Sequence, residues 1–220
     1  MLTATGIIKR FGSKVVLNDV SFSVRESELL GLIGPNGAGK TTLFECLAGL
    51  IPKDAGTVSA SGKLFYLPDA IRPWPDQRVA WALHFFEELY GRSEGPEIAK
   101  ALKLDPFLNS RIGSLSKGEL KRFLLALGLL TPHPLLLLDE PFDGLDFRQA
   151  RDVMALLRTY PARGRTLFLS IHQLADAARV CDRLVLLSGG CVVGQGTLPE
   201  LRDQARLADG GLEEIFLALT

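Results

Sequence analysis

Cysteine is scarce in this 220-residue chain. Cys46, Cys181 and Cys191 are the only three, and none stands in a CxxC spacing. Three thiols cannot all pair within one chain, so the pattern is that of packed cysteines in a reducing compartment. An excess of one charge is equally lacking. Twenty-five Lys and Arg balance 25 Asp and Glu, which leaves no general electrostatic pull on nucleic acid or anionic lipid. No nucleic-acid partner is expected. Long apolar runs are missing as well. The longest, Phe123 to Leu138, is interrupted by Thr131, Pro132, His133 and Pro134, short of the roughly 20 residues of a spanning helix. Met1 to Arg10 lacks the charged-then-apolar layout of a signal peptide. No repeat, low-complexity tract or Ser/Gly linker divides the chain. The expectation is a cytoplasmic protein that reaches a membrane only through a partner.

What is present is globular. The chain is 47% hydrophobic and 23% charged, and a chain this long buries about 70% of its extended surface on folding. Its length fits one large domain, or one core carrying a subdomain. Short alternating segments, Leu2–Ile8, Val15–Leu17 and Val20–Val24, read as strands. Leu29–Ile33 is an apolar strand running into a glycine-rich turn, and Lys40–Leu50 reads as a helix. Thr57–Ser61 and Lys63–Leu67 are further strands, followed by a stretch containing Pro68, Pro73 and Pro75. A helical middle follows: Arg78–Tyr90, with Val79, Leu83, Phe86 and Tyr90 on one face, then Pro96–Leu104 and Gly118–Leu130. The last third alternates, with Leu135–Leu138, Phe147–Arg158, Thr166–Ile171, Leu174–Val180 and Leu184–Leu187. Leu135–Leu138 and Thr166–Leu169 are apolar without alternation, as strands buried on both faces of a parallel sheet are. This order predicts an open α/β sheet with a helical insertion.

Gly34-Pro35-Asn36-Gly37-Ala38-Gly39-Lys40-Thr41-Thr42 fits the phosphate-loop pattern, between a strand and a helix. Its glycines let the backbone wrap phosphates with N–H groups inward, at the start of a helix. Lys40 adds a point charge for β- and γ-phosphates, and Thr41 offers a hydroxyl to Mg²⁺. Leu135–Leu138 ends in Asp139 and Glu140. The first carboxylate suits Mg²⁺, and the second is placed to polarise a water in line with the γ-phosphate.

Together these residues resemble the ATP-binding-cassette (ABC) ATPases, and other motifs extend the likeness over nearly the whole chain. Leu115-Ser116-Lys117-Gly118-Glu119 is similar to that family's signature. The resemblance implies that Ser116 and the N–H of Gly118 face the γ-phosphate of ATP held by a second copy. Ser116 before a helix is also an ordinary N-cap, and a helix start attracts anions. Phe142-Asp143-Gly144-Leu145-Asp146 resembles the D-loop, with Asp146 at the dimer interface, and His172 matches the switch histidine. Phe11 stands where the family stacks an aromatic on adenine. His84 and His133 lack such context and read as structural.

Some positions depart from the family. Asp69 stands where a glutamine usually meets Mg²⁺, and Gln77 is an outside candidate for that role. Lys117 replaces a glycine and Glu119 a glutamine in the signature. Trp74, Trp81 and Phe85, in an aromatic stretch, are expected to line a groove for a membrane subunit.

The fold expected is thus a P-loop NTPase core of ABC type, α/β, with an antiparallel N-terminal β-subdomain. A helical subdomain over about residues 69–131 is inserted in a single nucleotide-binding domain spanning 1–220. The resemblance implies an ATPase using ATP and Mg²⁺. Lys40, Glu140 and His172 are its expected catalytic residues, and Thr41, Asp139 and Asp69 its metal contacts. Its expected partners are a second copy, or a homologous ATPase subunit, and separate membrane-spanning permease subunits on whose cytoplasmic side it sits. The ending Gly211–Thr220, with no regulatory domain expected after it, and Tyr66-Leu67-Pro68-Asp69 resemble subunits of drug-, haem- and polyketide-type exporters. The readings weighed against this are a soluble cassette ATPase, a kinase using the same loop, and a binding module that does not turn over.

Overall fold

The computed structural model describes residues 1–69 and 71–220. The chain runs β1 (Leu2–Phe11), β2 (Lys14–Val24), β3 (Leu29–Ile33), α1 (Lys40–Leu47), β4 (Ala55–Ala60) and β5 (Leu64–Leu67). Then come α2 (Val79–Tyr90), α3 (Gly95–Ala101), α4 (Lys117–Leu130), β6 (Leu135–Asp139), α5 (Phe147–Leu157) and β7 (Thr166–Ile171). The last elements are α6 (Leu174–Val180), β8 (Arg183–Ser188), β9 (Cys191–Gly196), α7 (Leu198–Gln204) and α8 (Leu212–Leu219).

The strands form two sheets. An antiparallel sheet has the order β2-β1-β4, and a six-stranded sheet the order β5-β6-β7-β3-β8-β9. In the larger sheet all neighbours are parallel except β8 and β9. Its central strands are apolar because both faces are buried. In β6, Leu135 and Leu137 enter a core shared with the antiparallel sheet and α1, while Leu136 and Leu138 enter the core under the helices. Phe168 anchors the first core, 4.9 Å from Phe44 and 5.4 Å from Phe22 between ring centres. The second core joins α2–α6 to the opposite sheet face. Val79, Leu83 and Phe86 are buried there as their helical spacing predicts, and Tyr90 packs against them.

Two expectations need correction, and one stretch holds elements the sequence reading did not assign. Val15–Leu17 and Val20–Val24 are one strand, β2, which runs through a bulge. Ile7 pairs with Val20 and Lys9 with Leu17, so one extra residue sits on β2, and Asp19 takes φ 57°. The helix expected over Lys40–Leu50 ends at Leu47, before Gly49 at φ 72°. Finally β9, α7 and α8 lie in a stretch without a clear apolar period. They are short, and Leu201, Leu212 and Ile215 are what the two helices bury. The T-x-x-E of Thr197 and Glu200, a reciprocal cap on α7, was their legible signal.

Candidate functional site

The site grows from the C-terminal ends of β3, β6 and β7, which lie side by side. The loop Gly34–Thr42 leaves β3 and enters α1. Two of its glycines have no substitute. A Cβ on Gly34 would stand 2.3 Å from the Leu187 carbonyl oxygen, and Gly39 holds φ 106° with its Cβ position 2.9 Å from Leu17 Cδ2. The close approach tucks Lys40 inward. It is buried, its Nζ donates to the Gly34 carbonyl at 2.9 Å and lies 3.4 Å from Glu140 Oε1.

The register of β6 and β7 opposes Asp139 to Ser170. Ser170 Oγ donates to Asp139 Oδ1 and accepts the Glu140 N–H at 2.9 Å. Thr41 Oγ1 and Tyr66 OH donate to Asp139 Oδ2 at 2.9 and 3.2 Å. Burial, and next the Asp139 carboxylate, push the Tyr66 phenol well above its ordinary range, so it stays a donor. Glu140 turns out of the strand at φ 48°, a left-handed backbone uncommon outside glycine. That turn sets its carboxylate between Lys40 and His172, whose Nδ1 lies 2.7 Å from Glu140 Oε2.

A cavity of about 590 Å³ opens over the loop, lined by Asn36, Gly37, Lys40, Thr41, Thr42 and Glu140. Phe11 and Lys14 form its far rim. Phe11 is half exposed, with the Lys9 ammonium 5.1 Å from its ring centre. Asp69 also lines this cavity, yet its Oδ1 is bound to Lys121 Nζ at 2.5 Å. Gln77 sits elsewhere, in a turn with Trp74 and bonded to Ile112. The buried Asp139 carboxylate beside the Thr41 hydroxyl is a pair of hard oxygen donors, which fits Mg²⁺, an ion that keeps several waters.

Ser116, Gly118 and Asp146 are not among the residues lining this cavity. Ser116 caps α4 reciprocally with Glu119, and Asp146 caps α5 with Gln149. The two helix starts touch. A Cβ on Gly118 would stand 2.8 Å from the Gly144 carbonyl oxygen, and Lys117 pairs with Asp143 at 2.6 Å. His133 packs against Phe65 and Tyr90, a structural place. Sequence reading missed Tyr66, Ser170 and Lys121, because strand order and helix packing alone bring them to Asp139 and Asp69.

The ABC transporter family matches residues 17–143, more than half of the chain. An uncharacterized ABC transporter ATP-binding protein of Methanocaldococcus jannaschii is 38% identical over 89% of this chain and 77% of its own length. A Nod factor export ATP-binding protein I of Bradyrhizobium diazoefficiens is 34% identical over 90% of this chain and 71% of its own. Among solved structures, an ATP-binding subunit of an ABC transporter superposes with a TM-score of 0.91 at 30% identity, covering 100% of this chain and 99% of that one. An Atm1-family ABC exporter with ATP bound shares the fold, with a TM-score of 0.83 at 22% identity over 98% of this chain and 41% of the other. No helix among the described residues is long and apolar enough to cross a membrane. A family match of that extent, and relatives alike over most of both chains, mean that this chain belongs to the ABC transporter family, among its ATP-binding and ATP-hydrolysing subunits.

Proposed function

We propose that this ATPase subunit hydrolyses ATP as a head-to-tail pair and drives a separate membrane-spanning partner in export. The observation that carries the chemistry is the left-handed turn at Glu140, which holds its carboxylate between Lys40 and His172. Lys40 and the loop N–H groups of Gly34–Thr42 hold the β- and γ-phosphates. Thr41 and Asp139 would hold Mg²⁺, which when bound would supply neutralisation of phosphate charge. Asp69, the third expected metal contact, is engaged by Lys121 instead. Glu140 takes a proton from the attacking water as its oxygen bonds to the γ-phosphorus, and ADP leaves. His172 orients Glu140 through Nδ1. Phe11 offers an exposed face to the adenine.

The caps Ser116 and Asp146 and the N–H of Gly118 lie outside the cavity, which supports their meeting ATP held by a second copy. Closure of that pair would carry the helical subdomain, residues 69–131, toward its counterpart. The membrane partner is assigned to an exposed aromatic face of this subdomain. Trp74, Trp81 and Phe85 stand there with ring centres 5.4 to 5.8 Å apart, each about two-fifths exposed. Export is supported by the Nod factor export relatives. In this reading the subunit sits on the cytoplasmic face of the membrane through that partner.

Glu140→Gln tests the reading. It keeps the shape and the Lys40 acceptor while removing the base. The expected result is ATP affinity within about twofold of wild type, turnover lower by at least about a hundredfold, and an ATP-dependent dimer by light scattering. Hydrolysis at the wild-type rate would overturn the role of Glu140. A monomer at saturating ATP would overturn the pair.

A further inference from the structure

Two lysines one turn apart on α4 reach into two different loops. Lys117 pairs with Asp143 at 2.6 Å and Lys121 with Asp69 at 2.5 Å. A spacing of four residues sets both on one helix face. Asp69 follows β5 and Asp143 follows β6, so the carboxylates come from the ends of neighbouring parallel strands. Those ends also carry Tyr66, Asp139 and Glu140.

The two pairs differ in burial. The Lys117 side chain is 65% exposed, so solvent screens its pair. The Lys121 side chain is 4% exposed, and Asp69 is its single carboxylate partner among the described residues. Its ammonium also lies 3.4 Å from the Asp69 carbonyl oxygen. An ammonium buried this deeply is costly without its anion. With Oδ1 held by Lys121, Asp69 keeps only Oδ2 for a metal, and Thr41 with Asp139 already offers a metal two oxygens.

We propose that Asp69 is a tether to α4 rather than a metal ligand, and that the Asp69–Lys121 pair makes the Ser116 end of α4 follow the rim of the nucleotide cavity. This rests on the ATPase reading above. Both are positioning residues. Asp69 lines the cavity, Lys121 sits five residues along a rigid helix from the Ser116 cap, and a displacement of one is passed to the other.

The test uses Asp69→Asn, Lys121→Met, the double variant and Lys121→Arg, all in the full chain. Thermal unfolding is measured, together with kcat and the apparent KM for Mg²⁺ at saturating ATP. Each charge-removing single variant should lower Tm by about 5 °C and kcat by about fivefold, with the double variant no worse than either. Lys121→Arg should return kcat to within about twofold of wild type, and the KM for Mg²⁺ should stay within about twofold throughout. A rise of tenfold or more in that KM for Asp69→Asn, with none for Lys121→Met, makes Asp69 a metal ligand and overturns the tether. Additive losses in the double variant overturn it as well. If Asp69→Asn alone does not fold, the double variant, which leaves no buried charge unpaired, decides by its KM for Mg²⁺. A wild-type chain without turnover fails the function reading instead. The thermal cycle then still decides, since additive Tm shifts refute the tether.

Discussion

Ser170→Ala removes one oxygen atom and tests how the two consecutive acids are held. The Ser170 side chain is fully buried on β7. Its hydroxyl donates to Asp139 Oδ1 and accepts the Glu140 N–H at 2.9 Å. Alanine ends both bonds. A hydrogen bond to a charged group contributes about 1.5–3 kcal/mol, and an orphaned backbone donor costs about 1–3 kcal/mol more where water is excluded. Glu140 N–H is only partly shielded, so a total near 3 kcal/mol is expected. For a chain of this length each kcal/mol lowers Tm by about 2–4 °C, which places the variant about 6–12 °C below wild type.

Turnover should fall for a different reason. The left-handed backbone of Glu140 at φ 48° costs about 1–2 kcal/mol, and the bond to Ser170 opposes its relaxation. Once free, the residue swings its carboxylate from between Lys40 and His172, and a displacement of about 1 Å costs about a hundredfold in rate. Among the described residues Ser170 makes no hydrogen bond to Lys40 or to the Gly34–Thr42 loop, so ATP affinity should change less than about threefold. Calorimetric melting, steady-state phosphate release and a fluorescent-nucleotide titration read the three quantities separately. A Tm within 1 °C of wild type (about a third of a kcal/mol) together with kcat within about twofold would refute the reasoning. An affinity loss as large as the rate loss would point to general collapse of the pocket.

Tyr66→Phe should change the alkaline limb of stability. The folded chain holds the Tyr66 proton above the phenol's ordinary pKa of 10.0, while the unfolded chain releases it there. Stability therefore falls as pH rises above 10, and phenylalanine makes that slope shallower by up to one proton, about 1.4 kcal/mol per pH unit. Urea titrations at pH 9 to 11 check this, and identical slopes would show that Tyr66 ionises normally. Arg183→Met should lower Tm by about 10 °C, because Arg183 Nη1 lies 3.1–3.2 Å from both Glu28 oxygens and both side chains are buried. Glu28→Gln added to it should recover much of that loss, and a double variant as unstable as the sum of its parts would show that the pair is not the cause.

Most of the fold was legible because its strands carry their burial in their composition. Leu29–Ile33 and Thr166–Ile171 have the bounds their apolar runs suggest, each ending at a functional loop. Leu135–Leu138 lacks alternation for a physical reason, since odd and even residues face different cores. Illegibility began where a local signal has two meanings. Asn18-Asp19 reads as a turn between strands, and pairing with β1 alone makes it a bulge. In β9 the glycines Gly194 and Gly196 dilute the pattern. At Gly194 the strand lies close against the last helix, since a Cβ there would stand 2.9 Å from the Leu219 side-chain end.

The site divides along the same line. Backbone wrapping of phosphates and a strand ending in two acids are local chemistry, so Gly34–Thr42 and Asp139–Glu140 stand out unaided. Their supports are not local. Tyr66 is 73 residues from Asp139, Ser170 is 31, and Lys121 is 52 residues from Asp69. These separations close because β5, β6 and β7 are neighbours in the sheet and α4 packs across β5. Each strand end then contributes one polar group to the shared carboxylates. The order of strands is set by the two cores, and so the leucines of β6, which touch no phosphate, decide which hydroxyls reach Asp139. A substitution that shifted β6 by one residue against β7 would exchange its two apolar faces and take Asp139 out of register with Ser170. The same packing that makes the sheet stable therefore fixes the acid on which the chemistry depends.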